Sequence, residues 1–284
     1  RFRRPLGRFL FFGAVLYFFN MRYENAEHFK KENGYLVDGA WYPRVTRILE
    51  VKAKPGLQIF FKEMGSFDAA EDVKNKSAEE GSMVHEAVQK LLVGEKVAVP
   101  KDIEPAVNKF LEFNQTKQIY FHPEYVERRI WSGLHKYAGT VDALATIDGK
   151  FGVLDIKTST GFFPEYNLQT AAYTQALQEL EIKKALSLPK EIQTRWILRI
   201  NQHKICKKCN STLREKGGRS KVRNGKPNGA PHCIDTNHDW GETEGDVELK
   251  EFPYYFKDVR AFLAAKTLWE WDNDYWLRQI GYSR

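Results

Sequence analysis

Asp142, Asp155 and Lys157 are the residues whose types and spacing could do chemistry. Each Asp lies in or at the end of an apolar run rich in Val, Ile and Leu, and Lys157 follows Asp155 by two positions. Within Val153-Leu154-Asp155-Ile156-Lys157 an unpaired carboxylate would be costly, so Asp155 needs a partner. The runs YAGTVDALATI (137–147) and FGVLDIKTS (151–159) are separated by Asp148-Gly149-Lys150, with Asp-Gly as the turn dipeptide of a hairpin. Residues two apart on a strand share a face, so Asp155 and Lys157 project together while Ile156 points into a core. Two carboxylates and a lysine on paired strands can hold a divalent cation and still present a fixed positive charge. That combination suits hydrolysis of a phosphodiester.

The elements around this hairpin follow from periodicity. Gly34 to Leu49 reads as a short hairpin turning at Asp38-Gly39, then a helix begun at Thr46 or just before. Residues 66–94 read as helical, best over 77–92, where Met83, Val84, Ala87, Val88, Leu91 and Leu92 form an apolar stripe and His85 lies off its centre. A helix over 103–115 leads into a single strand of the form IYFHPEYVERRIWSGLHKYAG, which joins the central hairpin. After a loop holding Thr160, Gly161 and Pro164, a helix is expected from about Tyr166 to Leu180. On it Gln169 and Tyr173 share a face, and Ala171, Ala172 and Ala176 permit close approach to a sheet. Residues 191–201 and 246–252 read as strands. The helix over 255–272 is expected to pack through Ala261, Ala264, Ala265, Leu268 and Trp271.

Two segments depart from this pattern. Residues 1–34 form a leader or N-terminal extension, whose first twenty residues carry four arginines, no acid and an apolar run from Phe9 to Phe19. A targeting leader, a membrane-associated anchor and extra sequence ahead of Met21 compete there, and a fragment or a misplaced start is the favoured reading. Residues 202–241 interrupt the 35–284 domain with a basic, Gly- and Asn-rich insertion that includes Lys204, Lys207, Lys208, Arg214, Lys216, Arg219, Lys221, Arg223 and Lys226. All three cysteines fall in it. Cys206-x-x-Cys209 supplies half a tetrahedral thiolate site, and Cys233 with His232 or His238 could supply the rest. Zn²⁺ is the first choice, since such a loop has little core of its own and would need a staple. The formal charge of +7 favours a polyanionic partner.

Taken together, His85 on a helix, GTVD, a turn, DIKTS and a helix bearing LQTAAY resemble the RecB-type branch of the PD-(D/E)XK nuclease superfamily, the phage and mitochondrial genome-maintenance exonucleases above all. The resemblance covers residues 40–200, with a return at 246–272. It implies a restriction-endonuclease-like α/β fold, in which a mixed central sheet is flanked by helices and interrupted by the Cys/His-containing basic loop. It implies Asp142, Asp155, the Ile156 carbonyl and His85 as ligands of Mg²⁺ or Mn²⁺. Lys157 would sit by the scissile phosphate, and Gln169 and Tyr173 would contact the DNA backbone or orient Lys157. The implied activity is exonucleolytic hydrolysis of DNA with free ends or single strands, in replication, recombination or repair. A structure-specific or CRISPR-associated endonuclease and a non-catalytic DNA-binding module of the same fold are the alternatives. Some CRISPR-associated relatives hold an iron–sulfur cluster on four cysteines, a pattern that three cysteines do not meet. The expected compartment is a bacterial or phage-infected cytoplasm, with the mitochondrion as the alternative.

Overall fold

The computed structural model describes residues 23–224, 233 and 237–282. The arginine-rich leader, Lys226 and His232 lie outside the described residues. In chain order the helices and strands are α1 (Ala26–Asn33), β1 (Gly34–Val37), β2 (Ala40–Pro43), α2 (Val45–Ile48), α3 (Pro55–Glu63), α4 (Phe67–Leu92), α5 (Glu104–Lys117), β3 (Tyr120–Phe121), β4 (Arg128–Ser132), β5 (Tyr137–Val141), β6 (Ala143–Ile147) and β7 (Lys150–Lys157). Then follow α6 (Pro164–Leu177), α7 (Leu180–Ala185), β8 (Thr194–Cys206), β9 (Thr212–Lys216), β10 (Arg219–Arg223), β11 (Trp240–Glu251), α8 (Phe256–Asp272) and α9 (Asp274–Gln279).

The fold is mixed α/β. Its main sheet has seven strands in the order β10-β9-β8-β7-β6-β3, with β11 on the other side of β8. Strand β7 sits centrally and is buried on both faces, pairing antiparallel with β6 and parallel with β8. The β7–β8 pair makes the sheet mixed, and its crossover runs through α6 and α7. Alternation along β7 sends Leu154 and Ile156 into a core with Val88 of α4 and Val107 of α5, whereas Val153 joins Ala172 of α6 and Phe262 of α8 on the opposite face. Helices therefore cover both faces of the sheet. Among the described residues no helix is long and apolar enough to cross a membrane.

The β6–β7 turn forms as expected, with Asp148 and Gly149 at φ 50° and 77°, the twist-compatible geometry that Asp-Gly supplies at little cost. Helix α4 starts at Ser66, whose side chain accepts a 3.1 Å hydrogen bond from the Ala69 amide. It buries Val84, Ala87, Val88 and Leu92.

The structure corrects the sequence reading in several places. The single strand expected ahead of the hairpin is three short ones, because Pro123 cannot donate to a ladder and opens a 3-10 turn between β3 and β4. The arm YAGTVDALATI bends at Asp142: β5 pairs with β4, and β6 pairs with β7. Pro164 is the first residue of α6 and not part of the loop, as its fixed φ and missing N–H allow. In α8 the buried face is Val259, Phe262 and Trp269, while Trp271 is 74% exposed and Leu268 48%. Charged residues are spread round that helix, and the paired Lys266 and Glu270 even share its buried face, so spacing alone could not choose that face. Helix α1, within the stretch read as an extension, packs Phe29 into the main core. Strand β8 runs on to Cys206 and β11 begins at Trp240, so the interruption between them is 207–239.

Candidate active site

The carboxylates meet where two sheets part. The chain leaves β5, turns at Asp142 and enters β6, so the side chain at the bend is released from both ladders. Its Oδ2 accepts a 2.6 Å hydrogen bond from the Ile156 amide and lies 3.1 Å from His85 Nε2. His85 arrives from α4, one position beyond the buried Val84, and so looks along the edge of the core. Burial works against its charge, but the Asp142 carboxylate outweighs burial and raises the imidazole above its ordinary value. Burial likewise raises Asp142, and His85, Lys157 and the Ile156 amide together hold it below the usual carboxylate value.

Asp155 is fully buried on β7. Lys157, two residues on, brings Nζ to 2.8 Å from Oδ1 and 2.7 Å from Oδ2, so the lysine is the counter-charge that the strand requires. Burial still pushes the Asp155 carboxyl up to about 6, with the neighbouring Asp142 charge acting in the same direction. Lys157 itself is raised, because Asp155 and Asp142 outweigh its burial, and its ammonium stands 5.1 Å over the Tyr166 ring.

Helix α6 closes the other side. Gln169 Nε2 donates to Asp155 Oδ1 at 3.1 Å and to the Tyr173 hydroxyl at 3.0 Å. Burial, followed by the two carboxylates, holds the Tyr173 phenol well above its ordinary value, so it remains a neutral hydroxyl. The approach depends on Gly139 of GTVD, where a Cβ would stand 2.4 Å from Tyr173 Cε1. All seven residues singled out, His85, Asp142, Asp155, Ile156, Lys157, Gln169 and Tyr173, thus lie in one connected constellation, with Ile156 contributing its main chain and its side chain pointing away.

A cavity of about 520 Å³ opens onto it, lined by His85, Asp142, Lys157, Thr158, Gln89 and Glu127. Glu127 escaped the sequence reading. It sits at φ 53°, its amide donates to the Asp142 carbonyl at 3.1 Å, and its carboxylate accepts from Gln89. Burial first and Asp142 second raise its carboxyl. An acid in an irregular segment carries no periodic signal, so only the fold could place it here.

The donor set of the cavity, carboxylate oxygens with one imidazole, is of the kind hard divalent cations take. One buried oxygen, Asp155 Oδ2, has no aligned hydrogen-bond donor although the ammonium is close. The residues are compatible with a divalent ion in this respect, but their ligand atoms are not gathered into a compact set: among the described residues the only such group is in the insertion.

That group is Cys206, Cys209, Cys233 and His238, whose ligand atoms all lie within 4.8 Å of one another. Cys206 ends β8, Cys209 follows in a turn, and His238 precedes β11 with Trp240 stacked on its ring at 4.4 Å between centroids. Cys206 Sγ is 4.0 Å from Cys233 Sγ, and Cys209 Sγ is 3.5 Å from His238 Nδ1. Thiolates about 2.3 Å from a tetrahedral ion stand about 3.8 Å apart, so the spacing fits. Burial raises the Cys206 thiol, but the amides of Asp239, Lys208 and Cys209 outweigh it and bring it to about 7. The Ser211 hydroxyl and the Cys233 amide bring Cys209 to about 7 as well, while burial beside the other sulfurs pushes Cys233 up to about 11. This group could hold a metal ion such as Zn²⁺, and among the described residues His238 is the histidine that the geometry brings in.

No protein-family model matches the chain, and neither does any curated protein.

Proposed function

We propose that the chain is a metal-dependent deoxyribonuclease of the RecB-like PD-(D/E)XK type, with a restriction-endonuclease-like core, which hydrolyses DNA from free ends. What supports this reading is the meeting of His85 from α4, Asp142 from the β5–β6 bend, Asp155 and Lys157 from β7, and Gln169 and Tyr173 from α6 in one bonded constellation, of which His85, Asp142 and Lys157 line a cavity. Residues far apart in sequence gather here at buried charges that a purely structural role would not require.

In this reading His85, Asp142, Asp155 and the Ile156 carbonyl would hold Mg²⁺ or Mn²⁺. The chemistry such an ion supplies is Lewis-acid polarisation of the phosphate and acidification of water. The remaining roles belong to the chain. Lys157 carries a positive charge, fixed by its place on β7, that offsets the charge growing on the phosphoryl oxygens as water attacks in line. Gln169 holds Asp155 through Oδ1 and is itself held by Tyr173, which fixes the carboxylate's orientation. His85 fixes Asp142 in the same manner. No covalent intermediate and no cysteine nucleophile are involved. Cys206, Cys209, Cys233 and His238 would hold Zn²⁺ as a structural clip in the insertion, through three thiolates and one imidazole.

The test is digestion of end-labelled DNA, single- and double-stranded, linear and circular, with Mg²⁺, Mn²⁺ or EDTA, and with Lys157→Ala alongside. Metal-dependent loss of linear DNA, survival of circles and an inert variant are expected. Wild type and variant equally inert, yet both binding DNA, would leave a binding module of the same fold. Metal analysis of the purified chain should give one zinc per chain, and iron with a brown colour would overturn the zinc assignment.

A further inference from the structure

The insertion bears a second cavity, of about 220 Å³, that the catalytic constellation does not use. It lies between β8 and the β9–β10 hairpin, and Arg199, Arg214, Lys221 and Arg223 line it with Thr160 and Asp246. Four cations face one carboxylate there. Arg199 is balanced, by Asp246 at 2.7 Å and Glu248 at 3.0 Å. Arg214 and Arg223 form no ion pair among the described residues. Arg214 donates to two neutral acceptors, Asn201 Oδ1 at 3.0 Å and the Thr158 carbonyl at 3.2 Å, and Arg223 donates to the Thr160 carbonyl at 3.3 Å.

The hairpin register adds to the imbalance. β9 and β10 set Arg214 directly opposite Lys221, and Lys216 directly opposite Arg219. Like charges in such positions destabilise a two-stranded ribbon, so the arrangement lacks a stability rationale. Arg219 finds Glu63, which leaves the Arg214–Lys221 end in excess. Burial and the charges of Arg223 and Arg199 hold the Arg214 guanidinium below its ordinary value, the mark of cations crowded together. The volume is below the roughly 300–1,000 Å³ of small-molecule sites, and so suits an anionic group more than a whole ligand. Its lining, dominated by guanidinium and ammonium groups, favours an anion with several oxygens, and arginine's forked donors match phosphate.

We infer that this cavity binds a backbone phosphate of a nucleic-acid strand, so that the insertion is a second grip on the substrate of the proposed nuclease site. The two are mechanically joined. Thr158 follows Lys157 directly, and its carbonyl accepts from both Arg214 and Lys216. The turn of the hairpin is tucked against α4, where the Gly217 amide donates to Glu80 at 2.9 Å and a Cβ at Gly217 would stand 2.2 Å from Ser77 Oγ. A phosphate held between Arg214, Lys221 and Arg223 therefore lies beside the loop that leaves the catalytic strand.

The experiment is fluorescence anisotropy of a labelled single-stranded oligonucleotide titrated with the full chain, without added divalent metal, over a series of salt concentrations. Lys221→Gln combined with Arg223→Gln changes only exposed side chains and should leave the fold intact. It should weaken binding tenfold or more and reduce the salt slope by about 0.7 for each phosphate that the variant no longer neutralises. Lys184→Gln, exposed on α7, is the control for removal of a surface charge elsewhere and should bind as wild type does. Unchanged affinity and slope in the double variant would overturn the subsite. The inference rests on the nuclease reading for its substrate, but the two can fail separately. A wild type that cuts no DNA under any divalent metal while the double variant still loses binding removes the nuclease and keeps the subsite. An active enzyme whose binding ignores the double substitution does the reverse.

Discussion

Two regions of this molecule gather metal-competent or charged side chains, and they do so by opposite means. The constellation on β7 is imposed by the core. Asp155 is fixed because its neighbours Leu154 and Ile156 are buried on the far face, and Gln169 is fixed because Ala172 and Ala176 seat α6 on the sheet. The Cys/His group has no such support. Beyond the ends of β8 and β11 the described residues of the insertion contribute few buried apolar side chains, and its hairpin sets like charges face to face. The core can hold costly buried charges in place without help, whereas the insertion is tied by contacts to α4 and the Thr158 loop and carries a Cys/His group that could hold an ion. On the proposed reading, metal at the first site would serve chemistry and metal at the second would serve shape.

The largest effect should come from the first region. Asp155→Asn should reduce cleavage about 10³-fold or more, as the loss of several kcal/mol of transition-state stabilisation requires, while DNA binding without metal stays within a few-fold of wild type. Cleavage surviving at wild-type rates would end the contrast, since both regions would then be structural. Gln169→Ala acts through the Asp155 carboxylate it holds, and His85→Ala removes both a proposed ligand and the partner of Asp142; each should cost about 10–100-fold. Steady-state assays should place the loss in kcat for Gln169→Ala.

Stripping the Cys/His group tests the other half. Cys209→Ser, or a strong thiol-competing chelator, should release zinc and expose residues 207–223 to protease while the sheet core keeps its thermal transition. Loss of the whole fold in one cooperative step would show that the insertion is integral to the core and not clipped onto it.

The smallest effect concerns Lys216, whose ammonium donates to the Thr158 carbonyl at 2.9 Å and to its hydroxyl at 3.2 Å. Burial, and secondarily Arg214, lower its pKa from 10.5 to about 8. The folded chain therefore binds this proton less tightly than the unfolded chain, and stability should rise with pH between about 8 and 10.5 on its account. At pH 7 both states are protonated and the full penalty applies. Lys216→Met should melt above wild type at pH 7, and the difference should shrink as pH passes from 8 to 10.5. A difference independent of pH would mean that Lys216 acts by packing alone.

Much of the site is legible before folding is considered. An acid inside Val153–Lys157 has to be paired, alternation puts Lys157 on the same face, and Asp148-Gly149 fixes the register that makes both true. Helical spacing alone puts Gln169 under Tyr173 and His85 beside a buried stripe. These are short-range matters, decided by covalent periodicity and turn chemistry.

What only the tertiary structure decides is long-range or degenerate in pattern. The bend at Asp142, where one run of residues serves two sheets, depends on which strands are free to pair, and no local feature encodes that. Glu127 reaches the cavity from an irregular turn, and α8 chooses Phe262 over Trp271 although both lie on apolar stripes. The placing of His238 beside the three sulfurs, and the facing of Arg214 with Lys221, follow from how the insertion folds back on β8. Local sequence sets which face a side chain can show; burial of the whole chain sets what that face meets.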